Sequence, residues 1–158
     1  MVYLLLLLIV IGAIAVCGFV GYGFGSLGRA GLGRPGRQGW LRSIAALLFA
    51  FAVAVYTWGL LCAAGAALGA EDHGAGSSPM LPCRSAGDER AMHVVDYTVQ
   101  FAPLRFVCET NTGGDYASDD VPLYLNLIVL GSGLAAGACA AAATTSLKRP
   151  AEAGSAGQ

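Results

Sequence analysis

Three long blocks of the sequence contain no charged residue, and this feature constrains the fold more than any other. The blocks run over residues 1–25, 43–70 and 121–147. Each is longer than the roughly 20 apolar residues that a helix needs to cross about 30 Å of hydrocarbon. In lipid each block has to be helical, because a helix satisfies its own backbone N–H and C=O groups there. The sequence therefore predicts three transmembrane helices.

Composition excludes several classes of protein for this chain. Only 12% of its 158 residues are charged, whereas charged residues make up about 25% of an ordinary soluble domain. A water-soluble enzyme would lack the polar residues that cover a surface over these long blocks. The formal net charge of −1 leaves no basic excess to neutralise nucleic-acid phosphates. We therefore expect no nucleic-acid partner, and no motif indicates a cofactor or a small-molecule substrate.

The first block is predicted to stay in the protein as a helix. A cleaved signal peptide has basic residues before its apolar run and a small-residue cleavage site after it. Here no Lys or Arg precedes the run, and four Arg residues follow it. A lipoprotein signal ending at Cys17 is also disfavoured, because bulky Val16 occupies the position that requires a small residue.

Basic and acidic residues are segregated, and this segregation predicts the topology. We divide the chain into spans at 1–25, 43–69 and 121–146, a basic loop at 26–42, an acidic loop at 70–120 and a tail at 147–158. The basic loop and the tail together hold six basic residues and one acid, a net charge of +5. The acidic loop holds three basic residues and nine acids, a net charge of −6. Basic segments face the cytoplasm, so this would be a plasma-membrane protein with its N-terminus outside and its C-terminus in the cytoplasm. The basic residues expected near lipid headgroups on the cytoplasmic side are Arg29, Arg34, Arg37, Arg42, Lys148 and Arg149.

Three aromatic residues, Trp40, Trp58 and Tyr124, are predicted at the membrane interfaces. Trp40 and Trp58 are 18 residues apart, about 27 Å along a helix, which matches the separation of two interfacial aromatic belts. In that interpretation residues 59–69 continue outward from the bilayer as an apolar, Ala-rich helix. The alternative buries Trp58 against another helix and extends the span to about Leu68. We favour the alternative because it keeps the apolar segment in lipid.

Two short strands are predicted within the acidic loop. Residues 93–101 and 104–110 are rich in β-branched and aromatic side chains, a composition typical of strands. Ala102-Pro103 lies between them, so the two runs can pair as a hairpin with an irregular turn. An isolated hairpin is only marginally stable in water, and a further constraint is needed to hold it.

Cys83 and Cys108 are predicted to supply that constraint as a disulfide. They are the only cysteines outside the apolar blocks, and both lie in the loop assigned to the oxidising side of the membrane, where disulfides persist. A bridge closes a ring of about 26 residues, worth on the order of 3 kcal/mol in the chain-entropy model. Two free thiols or a catalytic redox pair are the alternatives, although redox catalysis uses close spacings such as C-x-x-C.

The acids and histidines of the same loop are predicted to be ordinary surface residues. Asp115, Asp119 and Asp120 show neither the alternating spacing nor the terminal Glu of a calcium loop. His73 and His93 are 20 residues apart and have no Cys partners at zinc spacing. We therefore expect no metal site.

Three further features of the chain are an excess of Arg over Lys, the Ala-rich blocks, and the segment 101–108 that leads to Val121-Pro122. In these features the chain resembles the small multi-pass membrane proteins, rich in Ala, Gly and Leu, of high-GC Gram-positive bacteria. The resemblance extends over the whole chain, but it includes no catalytic motif and therefore assigns no functional residue.

Together these patterns predict an all-α membrane protein with three transmembrane helices and a small, disulfide-closed external loop that can contain a β-hairpin. The spans hold no ionisable side chain, whereas transporters and proton pumps normally place one there. Small residues recur four apart, as in Gly133 and Gly137, and such faces permit close helix contact within the chain, with a partner or with a second copy.

The function that we favour from the sequence is a non-enzymatic accessory or assembly subunit, held in the lipid bilayer and in contact with a membrane-protein partner. The absence of transport groups within the spans and a loop too elaborate for a mere connector motivate this hypothesis. A homo-oligomeric pore of the holin kind is the alternative. An enzyme acting at the outer membrane surface comes third.

Overall fold

The computed structural model describes residues 2–30, 37–71 and 80–155. Three long helices account for most of the chain: α1 (Val2–Ala30), α2 (Arg37–Glu71) and α4 (Tyr124–Ser155). Between α2 and α4 lie a 3-10 helix (Leu81–Ala86), the short α3 (Asp88–Ala91), and the strands β1 (Val94–Phe101), β2 (Leu104–Thr110) and β3 (Tyr116–Ala117).

All three long helices contain a stretch long and apolar enough to cross a membrane, as predicted. These stretches are Val2–Gly28, Gln38–Glu71 and Tyr124–Thr145. Apolar side chains on them are exposed in the isolated chain, including Leu7 and Ile14 of α1 and Leu130 of α4. Because water does not favour so much exposed apolar surface on a monomer, this surface is the kind that lipid covers.

The strands form one antiparallel sheet in the order β1-β2-β3, so β2 is central. β1 and β2 are the predicted hairpin, and the residues Phe101 and Leu104 pair at its closed end. The cis peptide bond Ala102-Pro103 forms the turn between them. An irregularity between Val94 and Asp96 shifts the register at the open end.

Contacts group the chain into two compact units, of which the first contains the sheet. This sheet unit comprises Met1–Ile11 and Val55–Leu127. Phe106 and Leu104 of β2 are buried in it in one cluster with Leu60 and Ala67 of α2 and Leu5 of α1. Tyr97 of β1 stacks on Phe106, with ring centroids 5.0 Å apart. The buried face of β2 thus packs on the end of α2, where the side chains are mostly Ala.

The second unit, Gly12–Ala54 with Ile128–Gln158, contains only helical segments among its described residues. Phe19 and Phe49 meet edge to face with centroids 4.8 Å apart. Gly23 lies so close to Leu47 that a Cβ atom on it would be 2.8 Å from the leucine side chain. The hydroxyl oxygens of Ser26 and Ser43 are 2.6 Å apart. α1 and α2 therefore form a tight helical pair in this unit, as small residues allow.

Trp58 corrects one sequence-based expectation. The favoured interpretation buried Trp58 against another helix, but its side chain is 61% exposed. The alanines that follow it, among them Ala63 and Ala67, are instead buried in the cluster that contains the sheet. The Ala-rich segment is thus covered by the chain's own sheet, a partner that the helical pattern does not show.

Gly59 is a point of close approach between α2 and the hairpin. A Cβ atom there would lie 2.6 Å from Cδ2 of Leu104, which is almost fully buried. We expect the substitution Gly59→Ala to lower the free energy of unfolding by about 1–2 kcal/mol, because overpacking displaces Leu104. Thermal unfolding of the purified protein in detergent measures this effect.

The matched control is Gly65→Ala on the same helix, where an added Cβ meets no atom within 4 Å. That variant should be as stable as the parent or slightly more stable, because Ala favours the helix over Gly. Equal loss of stability in both variants would contradict the assigned contact.

Candidate functional site

The segment from Met80 to Val121, here called the loop domain, is the part of the chain that carries most of the described polar contacts. Its first element, the 3-10 helix, is joined to β2 by the disulfide Cys83–Cys108, whose Cα atoms are 6.1 Å apart. Both cysteines are fully buried. The predicted disulfide is thereby confirmed, while Cys17, Cys62 and Cys139 are free thiols.

Two side chains from the region of β3 hold the 3-10 helix from the other side. The hydroxyl of Tyr116 donates to the carbonyl oxygen of Cys83 at 2.6 Å, and the hydroxyl of Ser118 donates to that of Pro82 at 2.6 Å. Burial raises the pKa of Tyr116, and the nearby guanidinium of Arg90 opposes this increase. Tyr116 therefore stays neutral and keeps its donor role at physiological pH.

The closed end of the hairpin is attached to both neighbouring long helices. Tyr56 of α2 donates its hydroxyl hydrogen to the carbonyl oxygen of Phe101 at 3.0 Å. The side-chain amide of Asn126, in the first turn of α4, binds both polar groups of Leu104: it accepts from the N–H at 2.8 Å and donates to the carbonyl at 3.0 Å. The side chain of Asn126 thus takes the place of a neighbouring strand at this residue.

A third attachment joins β1 to the end of α2. The Tyr97 hydroxyl donates to a carboxylate oxygen of Glu71 at 2.8 Å. Burial, this hydrogen bond and the negative charges of Glu71 and Asp96 raise the pKa of Tyr97 to about 12. The proton therefore remains on the phenol at physiological pH, where Tyr97 can donate to Glu71.

The outer edge of β1 is protected against pairing with another strand. The backbone N–H of Tyr97 donates to the carboxylate of its neighbour Asp96 at 2.8 Å. The carbonyl of Phe101 is occupied by Tyr56. Because an open edge strand is a template for intermolecular pairing, these two contacts shorten the stretch of β1 that could bind another chain.

Three acids of the loop domain, Asp115, Asp119 and Asp120, lie at its surface. Asp115 accepts a hydrogen bond from the backbone N–H of Thr110 at 2.9 Å and so closes the turn after β2. Asp119 and Asp120 are exposed, and so is His93. Among the described residues, no three His, Cys, Asp or Glu side chains are gathered as a metal site requires. His73 lies outside the described residues.

A polar recess of about 460 Å³ lies beside that turn, and sequence reasoning did not predict it. Its lining includes the exposed side chains of Arg90, His93, Thr112 and Asp115. The guanidinium of Arg90 and the carboxylate of Asp115 both line the recess. The recess therefore has no excess of fixed charge that would select a cation or an anion.

The predicted interfacial residues fall into two groups. The aromatic side chains of Trp40, Trp58 and Tyr124 are all exposed, as is that of Arg42. Arg34 lies outside the described residues. Four other basic residues are described only in their helical backbone and not in their side chains: Arg29, Arg37, Lys148 and Arg149. The contact of these basic residues with lipid headgroups remains a prediction.

Comparisons with protein-family models, with curated proteins and with solved structures give no match.

Loss of the disulfide should destabilise the loop domain. We expect Cys83→Ser to lower the free energy of unfolding by about 2–4 kcal/mol, because the open ring restores conformational freedom to the unfolded chain. Hydrogen exchange of the β2 amides, followed by mass spectrometry, measures the effect. The control is Cys17→Ser, which removes an exposed free thiol of the other unit and should leave exchange in β2 unchanged. Similar protection in both variants would contradict a stabilising role of the bridge.

Removal of the Asn126 amide should release the closed end of the hairpin. We expect Asn126→Ala to cost about 1–3 kcal/mol, because it leaves the N–H and C=O groups of buried Leu104 without partners. The readouts are the unfolding temperature in detergent and amide exchange at residues 101–105.

Ser132→Ala serves as the control for this variant. It removes a hydroxyl that bonds only to carbonyls of its own helix, so exchange in the hairpin should not change. If the two variants exchange alike at the hairpin, Asn126 does not hold it.

Proposed function

We propose that this chain is a non-enzymatic integral membrane protein that acts as an accessory or assembly subunit. Its partner is another membrane protein, contacted through the loop domain and through helix faces. The attachment of the loop domain carries this proposal. Tyr56, Glu71 and Asn126 fix the hairpin to α2 and α4, and the disulfide closes the domain on itself.

Such attachment is more than a connector between two helices needs. A flexible linker would join α2 to α4 at little thermodynamic cost, whereas here α2 holds the hairpin at its closed end and at the middle of β1. A surface that is fixed relative to its supporting helices loses little conformational freedom when it binds, and this increases affinity. The arrangement therefore suits recognition by a protein at the membrane surface.

The proposed topology follows the charge distribution. The segments with a net charge of +5 face the cytoplasm, and the loop domain lies outside the plasma membrane with the N-terminus. This placement suits the disulfide, because the compartment outside the plasma membrane is oxidising.

A homo-oligomeric pore is the competing function, and one structural observation favours it. Gly133 and Gly137 of α4 border an apolar groove of about 340 Å³, lined also by Ala136 and Ala140. A Cβ atom on either glycine would meet nothing within 4 Å. Phe19 of α1 and Phe49 of α2 line the same groove, so it lies between helices of this chain. A second copy could reach the glycines only by entering this groove, where small residues permit close packing.

Site-specific photo-crosslinking in native membranes distinguishes the two functions. A crosslinking amino acid replaces the exposed Gln100 on β1 in one variant and the exposed Leu134 on α4 in another. For an accessory subunit we expect Gln100 to capture one and the same membrane protein in near-stoichiometric yield, and Cys83→Ser to abolish this product. Crosslinks from Leu134 to the chain itself, with none from Gln100 and with ion leakage on expression, would replace the proposal with the pore.

A further inference from the structure

We propose that the closed end of the hairpin, residues 101–104, rests in the headgroup layer of the outer leaflet. This inference rests on the membrane insertion that the proposed function includes, but it does not depend on a protein partner. Lipid at the bilayer interface is the binding partner.

One contact point brings the hairpin and two helices to a common level. At Gly59 of α2, an added Cβ atom would lie 2.6 Å from the side chain of Leu104 and 3.5 Å from that of Leu125 of α4. Trp58 precedes Gly59 by one residue, and Tyr124 precedes Leu125 by one residue. Each aromatic residue is therefore displaced by only about 1.5 Å along its helix axis from this common level.

The two aromatic side chains are available to lipid. Trp58 is 61% exposed and Tyr124 is 60% exposed. Trp and Tyr concentrate at the boundary between hydrocarbon and water, where an apolar ring and a polar N–H or O–H group are both accommodated. Trp58 and Tyr124 lie on different helices at the same level as the hairpin end. Together they mark that boundary.

The hairpin end itself is suited to this layer. Ala102 and Pro103 are exposed and uncharged, and Pro103 has no N–H group that would need a partner. The outward carbonyl of Phe101 is satisfied by Tyr56, and both polar groups of Leu104 are satisfied by Asn126. Leaving bulk water is therefore less costly for this turn than for an open loop.

The rest of α2 is consistent with the same boundary. From Trp58 back to Trp40 the helix covers about 27 Å, close to the roughly 30 Å of a hydrocarbon core. From Gly59 to Glu71 it runs beside the sheet, which carries Asp96 and Glu109 on its strands. Strands with such residues do not lie in hydrocarbon. Their charged side chains and the unpaired backbone groups at the sheet edges would lose their hydrogen bonds to water there. The charged residues of the strands therefore lie on the water side of the hairpin end.

Depth measurements on spin-labelled protein test the inference. Single cysteines replace Ala102 at the hairpin end, Thr112 at the opposite end of the sheet, and Ile14 of α1, which is 68% exposed. The background lacks the three free cysteines and keeps the disulfide. Each labelled full-length protein is reconstituted in phosphatidylcholine–phosphatidylglycerol vesicles, and its collision rates with oxygen and with a water-soluble nickel complex are compared.

We expect three distinct depths. The label at residue 14 should collide mainly with oxygen, as in hydrocarbon, and the label at 112 mainly with the nickel complex, as in water. The label at 102 should show several-fold less nickel collision than that at 112 and several-fold more than that at 14. A label at 102 as accessible to nickel as that at 112, or as shielded as that at 14, would overturn the inference.

The label at residue 14 separates this inference from the proposed function. If that label is in water, the chain is not inserted and both proposals fail. If it is in hydrocarbon while residue 102 is in water, only the hairpin depth is wrong. A further check uses Trp40→Phe protein, in which Trp58 is the only tryptophan. Lipids brominated near the headgroup should quench its fluorescence more than lipids brominated near the chain end, and the reverse order would also overturn the inference.

Discussion

The structure of the sheet unit depends on how the hairpin satisfies its backbone at the point where the sheet ends. A strand that ends beside apolar helices has backbone N–H and C=O groups that no neighbouring strand pairs with. The packed helices also shield these groups from water. The amide of Asn126 binds both groups of Leu104, and the hydroxyl of Tyr56 binds the carbonyl of Phe101. Without these contacts, burying Leu104 against Gly59 would leave polar atoms unpaired, at a cost comparable to the gain from burial.

Small residues have a second use in this chain besides helix–helix packing. On α2 the buried alanines 63, 64, 66, 67 and 70 share one cluster with the strands. Their short side chains let the strands approach the helix, so that large residues such as Phe106 fill the space between them. The Ala content that is typical of a membrane span therefore also serves as the flat support of a small sheet.

The sequence was sufficient for the features that depend on local pattern. The lack of charge over three blocks predicts three apolar helices, and three helices of that kind are found in the described part of the chain. The β-branched and aromatic runs predict the two strands of the hairpin to within about one residue at their ends. The disulfide follows from the position of two cysteines outside the apolar blocks, without any knowledge of their geometry.

The features that the sequence did not reveal depend on contacts between distant residues. An Ala-rich helix has the same pattern whether lipid or a sheet covers it, and so the environment of Trp58 was predicted incorrectly. The role of Asn126 was also missed, since a lone amide in an apolar helix does not show what it binds. Its position in the first turn after the loop was the available signal, because the loop domain lies directly before it in the chain.

The attachment through Asn126 has a consequence for the order in which the molecule is made. Synthesis proceeds from the N-terminus, so the hairpin leaves the ribosome before α4 does. Until α4 takes its place, Leu104 has no amide to bind and the loop domain remains incomplete. Completion of the loop domain therefore requires α4, and a chain truncated before residue 124 leaves both polar groups of Leu104 without the Asn126 amide.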